Sequence, residues 1–427
     1  METRRPKRTA GALSLVVVLA ATAGTIVVGA LLKQPCTGGD WTDGRQYRRL
    51  CYTDVLPLYG SERLTGNRLP YIDDCGKEAG ACDEYPVLTM YFMRLAAWVS
   101  NGYGGFFYAN AFLLGICALL ASYFLFRVAG ERALYFALAP SLLVLGVINW
   151  DLLAVALTAA ATFAYLKGRD RGSGILLGLG AAAKLYPALL VIPFAAGRLR
   201  RKGRADGVRL GVWSVVTYAA VNFPFALLGT HGWWTFFKTN ADRTMDFDSM
   251  WYVACRRLGG TTSNFCPWSP HLVDLLSLVA LLGAVLAAWR WRALIRPDFP
   301  RWTLGFPVIA LFLLVNKVYS PQYSLWLVPW FALALPDVRL FAAFEVTDVA
   351  VFVTRFSWFG TLSAEQGVPG FAGYRGIPLW GYQLTLVARA LVILICVVAW
   401  VLRSERSEEP IGDYPSGVDE VGSTIPS

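Results

Sequence analysis

An aspartate three residues after a cysteine, in CYTDVLPLYGSERL, is the first side chain placed to do chemistry. A bridge at Cys51 would hold Asp54 on a constrained backbone between Tyr52 and Tyr59, which is what positioning a general base requires. Without that bridge, Asp54 is one more solvated acid in a polar loop that also carries Glu62, Asp73, Asp74, Asp83 and Glu84. Glu84 and Tyr85 open the segment DEYPVLTMYFMRLAAW, apolar with interspersed aromatics, which reads as a helix lying at the membrane interface. They would face the same compartment as Asp54, although an acid at a helix N-terminus is also favoured by the helix dipole alone.

The complementary groups are cations. Lys184 lies in GAAAKLYPALLVIPF, where a lysine near the bilayer centre costs about 2.5–3.5 kcal/mol. It therefore needs a partner, either a lipid-linked phosphate or a structural ion pair with Asp151 of NWDLLAV. The segment NKVYSPQYSLWLVPW packs Lys317, Gln322 and Tyr323 around Pro321, and a helix starting there would offer free N–H groups to an anion. Its Tyr, Trp and Lys content is equally that of an interfacial anchor. KTNADRTMDFDSMWYVACRRLGG sets Arg243, Asp246, Asp248 and Trp251 side by side, a mixture that suits sugar hydroxyls and rings. Two histidines, His231 and His271, and the absence of HExxH, P-loop, GxSxG and CxxC patterns leave zinc-hydrolase, nucleotide-driven and redox-motif readings without support. No cofactor is expected; an Asp-rich divalent-metal site stays open, with nothing to fix it.

The elements that must position these groups are membrane helices. With 56% hydrophobic residues, 16 Trp and 16% charged residues in 427, the chain reads as an all-α polytopic membrane protein. The net charge of +10 falls in short clusters between apolar runs, the pattern of cytoplasmic loops rather than of a nucleic-acid partner. The run from about Gly11 to Leu32 exceeds the roughly 7–15 residues of a signal-peptide core and reads as an uncleaved first helix running outward. That puts loop 33–85 outside. Helices follow near 105–126, 133–148 and 152–166, ending at KGRDRG inside.

The run 175–196 ends in RLRRKGR, so both its flanks belong to the cytoplasm; a re-entrant hairpin broken near Lys184 and Pro187 satisfies them. Loop 230–270 is then outside as well. All six loop cysteines (Cys36, Cys51, Cys75, Cys82, Cys255 and Cys266) share one oxidising compartment, while Cys117 and Cys396 lie in apolar runs. Three disulfides are expected, with the pairing of the first four open and six free thiols as the alternative. Further runs near 208–228, 272–294, 303–315, 321–335, 340–353 and 379–402 bring the total to about twelve membrane-embedded helices. Residues 1–403 form one membrane-embedded domain with both ends cytoplasmic, and the polar tail 404–427 is expected to be disordered.

CYTDVLPLYGSERLTGNRLPYID, EYPVL, NWDLLAV, GAAAKLYPALLVIP, FDSMWY and NKVYSPQYSLWLVP follow one another from about residue 50 to residue 330. In that order they resemble glycosyltransferase family 87, the actinobacterial polyprenyl-phosphate-sugar-dependent transferases of the C-type glycosyltransferase fold. The resemblance implies transfer of a sugar, most often mannose, from polyprenyl phosphate to a glycolipid or glycan acceptor on the outer face of a bacterial cytoplasmic membrane. It implies Asp54 as the base. Lys184, Lys317 and Arg243, with Gln322 and Tyr323, would meet the donor phosphate; Glu84, Tyr85, Asp151, Asp248 and Trp251 would meet sugar or acceptor. A single displacement would invert the anomeric centre.

The family also holds arabinofuranosyl transferases, whose loop motif differs from EYPVL. From other classes, a lipid-linked-sugar flippase calls for midplane polar groups and repeat symmetry, whereas the acids here gather in outside loops. A non-catalytic scaffold of envelope assembly is the remaining alternative.

Overall fold

The computed structural model describes residues 7–75, 82–201, 204–258 and 266–403; the expected disordered tail, 404–427, lies outside them. Every regular element among these residues is helical. Five helices are long and apolar enough to cross a membrane, over Ser14–Cys36, Gly102–Ala137, Ala205–Leu228, Pro270–Ile295 and Leu379–Leu402. Their outer surfaces stay apolar: Leu272, Leu275, Leu278, Val279, Leu282 and Leu286 of Pro270–Ile295 are all exposed. Such a surface has hydrocarbon, not water, as its neighbour, and the chain is a membrane protein.

Prolines cut other apolar runs shorter than expected. The run at 133–148 is two short helices, Leu134–Ala137 and Pro140–Leu145, because Pro140 has no N–H to continue a helix. The run at 321–335 is a 3-10 turn, Pro321–Trp326, followed by Val328–Leu333. By contrast, the run expected at 340–353 belongs to a 28-residue helix, Val338–Glu365, with Glu345, Asp348 and Arg355 along it. The helix Val87–Trp98, expected at the interface, also buries Met90 and Met93 in the main core.

The segment around Lys184 turns back on itself. Helix Asp170–Ala183 ends at Lys184, whose backbone is extended; a 3-10 turn, Tyr186–Leu190, follows, then helix Val191–Arg201. Arg198 pairs with Asp170 and donates to the Tyr165 carbonyl, so the two ends of the segment meet at one pole of the bundle. Lys184 sits at the other. Gly174 and Gly178 let helix Asp170–Ala183 press against helix Arg204–Leu228, where a Cβ would run into the Leu210 and Ser214 carbonyls.

The polar loop after the first helix is closely pinned. Disulfides join Cys36 to Cys51 and Cys75 to Cys82, and a third joins Cys255 to Cys266 in the later loop. The four non-glycine residues with left-handed φ among the described residues, Leu50, Arg63, Tyr71 and Asp83, all lie in the first loop, an uncommon conformation that surrounding contacts must hold. Those contacts include a buried Arg68–Asp83 ion pair at 2.6 Å and the Tyr71 N–H donating to Asp83. The Asp83 and Glu84 N–H groups in turn donate to Glu62 at 2.6 and 3.3 Å.

Glu62 is 1% exposed, and burial pushes its carboxyl up to about 7 against the pull of those N–H groups. A raised carboxyl pKa favours the folded loop when protonated, so its contribution is complete below the ordinary glutamate value and is lost as pH rises through about 7. The unfolding midpoint of the detergent-solubilised protein is expected to fall from pH 5 to pH 8, and to fall less in Glu62→Gln. Identical slopes in the two proteins would remove Glu62 as the cause.

Candidate functional site

Asp54 is carried by the junction between the first loop and the turn after Pro140–Leu145. Its N–H donates to the Ile148 carbonyl at 2.9 Å, and the neighbouring Thr53 hydroxyl donates to the Val147 and Ile148 carbonyls. These bonds dock the loop on the turn that holds Asn149 and Asp151. The Asp54 carboxylate then accepts Asn149 Nδ2 at 2.8 Å and Gln322 Nε2 at 3.4 Å, both on Oδ2. Burial, reinforced by the nearby Asp54 carboxylate, raises the pKa of the Tyr52 phenol.

Asn149 works with both ends. Its Nδ2 also donates to the Tyr85 hydroxyl at 2.6 Å, while Oδ1 accepts the Trp150 N–H at 2.7 Å and Lys184 Nζ at 3.4 Å. Lys184 reaches Asp151 Oδ2 at 3.5 Å, and Trp326 Nε1 donates to the other Asp151 oxygen at 2.7 Å. The ammonium also lies 5.0 Å from the Tyr85 ring centre and 5.5 Å from that of Tyr323.

A cavity of about 2050 Å³ opens over this group. Of the expected site residues, Asp54, Glu84, Tyr85, Lys184, Arg243, Lys317, Gln322 and Tyr323 line it. The rest are not in its wall. Asp151 is fully enclosed and serves as the counter-charge of Lys184. Asp248 is buried behind the wall, paired with Arg355 at 2.5 Å and accepting the Tyr382 hydroxyl. Trp251 donates its indole N–H to the Val315 carbonyl and stands against Trp268. In the FDSMWY turn Asp248 is thus buried and Trp251 partly buried, both outside the cavity lining. Lys317 touches the cavity but is held at 2.8 Å by Asp274 and at 2.9 Å by the Ala241 carbonyl.

Two residues central to the geometry were not singled out from the sequence. Asn149 stands beside Asp151 in NWDLLAV, yet an uncharged amide gives no signal of its own. Arg355 had one: a charge in an otherwise apolar helix marks a paired or functional group. It lines the cavity and pairs with Asp246 at 3.4 Å as well as with Asp248. Arg243 meets Asp246 from the other side at 3.2 Å, and the Ser320 hydroxyl donates to it. Burial works against the Asp246 carboxylate, but Arg355 and Arg243 outweigh it and hold its pKa below the ordinary range. Burial raises Glu84, with Arg243 opposing. Cys75, Cys82 and Asp83 are clustered closely enough for a metal, but the two sulfurs are joined and Asp83 is committed to Arg68.

The sequence description of glycosyltransferase family 87 matches residues 84–321, more than half of the chain. Asp54, Gln322 and Arg355 fall outside that stretch; Asn149, Lys184 and Arg243 fall within it. A polyprenol-phosphate-mannose-dependent alpha-(1-2)-phosphatidylinositol mannoside mannosyltransferase of Mycobacterium tuberculosis is 31% identical over 162 residues, 36% of this chain and 34% of the relative. The pentamannoside enzyme of the same species is 27% identical over 273 residues, 59% and 56% of the two chains. The catalytic subunit of GPI alpha-1,4-mannosyltransferase I of Danio rerio is 29% identical over 182 residues, 39% and 43%. The matches thus span from a third to a little over half of these relatives' lengths. A solved structure of ArnT from Cupriavidus metallidurans bound to undecaprenyl phosphate superposes with a TM-score of 0.43 at 14% identity, covering 90% of this chain and 77% of that one.

The ion-pair geometry makes a contrast that stability measurements resolve. Arg355→Ala leaves the enclosed Asp248 without its ion-pair partner and Asp246 with Arg243 alone, and is expected to cost about 3–5 kcal/mol. Arg243, whose side chain is 46% exposed, should cost far less when replaced by Ala. Comparable losses in unfolding midpoint would show that the pairing is not what holds this wall.

Proposed function

Because the chain belongs to glycosyltransferase family 87, we propose that it transfers a mannosyl group from a polyprenyl phosphate to a hydroxyl of a glycolipid acceptor. The observation that carries this reading is one amide, Asn149, joining a carboxylate and an ammonium on the wall of one large cavity. The choice of mannose and of a lipid-phosphate donor draws on the mycobacterial relatives, whose names specify both.

The donor already carries its leaving group, so three tasks remain: take a proton from the acceptor, receive the departing phosphate, and hold the two in line. Asp54 takes the acceptor proton as the hydroxyl oxygen forms its bond to the anomeric carbon. The bond from that carbon to the phosphate oxygen breaks, and its electron pair leaves with polyprenyl phosphate. Lys184 and Arg243 face the growing phosphate charge, the kind of cationic clamp that stabilises a leaving phosphoryl oxygen. A single displacement inverts the centre, so a β-linked donor yields an α-linked product. Lys317, neutralised by Asp274, is left with the part of tying the 317–320 strip to the end of helix Thr230–Asp242.

We place the cavity on the outer face of the cytoplasmic membrane. The Cys75–Cys82 bridge stands in its wall, and disulfides persist on the oxidising side of a membrane. The opposite pole carries Arg127, Lys167, Arg169 and Arg198, in keeping with the positive-inside pattern.

The test is turnover in nanodiscs with polyprenyl phosphomannose and a phosphatidylinositol mannoside acceptor. Asp54→Asn should lower kcat by about 10²–10⁴-fold, and equal turnover would remove Asp54 as the base. Lys184→Ala should weaken use of the donor more than use of the acceptor, and the reverse pattern would count against its phosphate role.

A further inference from the structure

A second hollow lies away from the Asp54 cavity. It is an apolar groove of about 530 Å³ between helices Gly102–Ala129, Asp151–Leu166 and Asp170–Ala183. Leu120 and Phe124 line it from the first helix, Leu153, Leu157 and Phe163 from the second, and Leu176 from the third. Leu120, on its rim, is 46% exposed, and Ile116 and Phe112 continue the same exposed stripe at 41% and 70%, one turn apart on one helix face. The groove therefore opens onto the surface that meets hydrocarbon. From Leu153 to Phe163 it follows ten helical residues, about 15 Å at 1.5 Å per residue, which is the depth of one leaflet of a hydrocarbon core roughly 30 Å thick.

Its far end is cationic. Arg169 is itself a lining residue. Arg127 lies 5.4 Å and Lys167 6.0 Å from the ring centre of Phe163, another lining residue. Three positive side chains from two different segments thus converge where the groove reaches the pole opposite Asp54. Among the described residues none of them has a carboxylate within ion-pair distance. The acids of the same stretches are engaged elsewhere, Asp170 with Arg198 and Glu131 with the Ser14 hydroxyl. Arg127 does keep one bond, donating to the Tyr123 hydroxyl at 2.6 Å, which fixes its direction without neutralising it.

We propose that this groove is a binding site for an anionic glycerophospholipid, one acyl chain lying along Leu153–Phe163 and the phosphate held by Arg127, Lys167 and Arg169. A leaflet-deep apolar slot calls for a hydrocarbon chain, and uncompensated cations at its polar end select chains that carry a negative headgroup. The site is separate from sugar transfer and stands whether or not that activity is found.

Native mass spectrometry of the full-length protein with equimolar phosphatidylglycerol and phosphatidylcholine of identical chains tests it. Wild type should retain phosphatidylglycerol in preference, and Lys167→Gln and Arg169→Gln should each reduce that preference about fivefold. Both residues are exposed, so these variants should keep the wild-type unfolding midpoint. Ala160→Trp, which fills the floor of the groove, should lower retention of both lipids. Equal retention of the two lipids by wild type, or an unchanged preference in the double charge variant, would overturn the proposal. So would displacement of the bound lipid by glycerol phosphate at matched concentration, which would mean that the cations bind free phosphate without the groove.

Discussion

Lys184 carries its ammonium to the end of an apolar helix, and much of the surrounding architecture answers the need to keep that charge in company. Asp151 supplies the opposite charge from the first turn of the neighbouring helix, itself fully enclosed. A buried pair of this kind holds only when its remaining hydrogen-bonding capacity is met. Trp326 meets it on one side of Asp151, and Asn149 meets it on one side of Lys184. Because Trp326 comes from the turn after Pro321 and Asn149 from the turn after Pro140, the single pair draws three distant parts of the chain to one place. The break at Lys184 to Pro187 belongs to the same arrangement: the ammonium meets Asp151 from a residue whose backbone is extended at the end of helix Asp170–Ala183.

The first loop depends on that arrangement in turn. Thr53 and Asp54 dock on the backbone at Val147 and Ile148, so the position of the carboxylate is set by the turn rather than by the loop's own conformation. The two loop disulfides restrict how the chain arrives, and the left-handed residues at Tyr71 and Asp83 bring the Glu84–Tyr85 end back towards the same cavity. Such backbone conformations cost of order 1–3 kcal/mol each when held against preference. Arg68, Glu62 and the Asp83 carboxylate supply the local bonds that offset it.

The sequence made a good part of this legible, for reasons that can be named. Charge clusters and apolar length marked the principal helices, and the cost of an unpaired lysine in hydrocarbon marked both Lys184 and its partner Asp151. Cysteine parity located three disulfides but not the pairing of the first four, which depends on how the loop folds back. Proline positions were visible, yet whether Pro140 and Pro321 end a helix or merely kink it is decided by what packs beside them. Asp248 and Trp251 do not line the large cavity, and a turn of alternating acids and aromatics gives no indication of which face meets one. Asn149 was missed because its importance lies wholly in what it touches.

The cations around the cavity differ in how free they are to meet a ligand. Arg355 is fixed between two carboxylates, and Lys317 is closed by Asp274 at 2.8 Å. Lys184 is held only by contacts of 3.4 and 3.5 Å, and Arg243 by one pair at 3.2 Å with its side chain half exposed. On the proposed reading, a lipid phosphate would draw on the two loosely held cations, while the two tightly held ones maintain the wall. The same bonds then bear on timing. A phosphate arriving at Lys184 competes with Asn149 Oδ1 for the ammonium, and that amide also holds Asp54 through Nδ2. Under the proposed roles, donor binding and the orientation of Asp54 would be coupled through the one amide that touches both, setting the carboxylate for the acceptor's proton in the presence of the group that must leave.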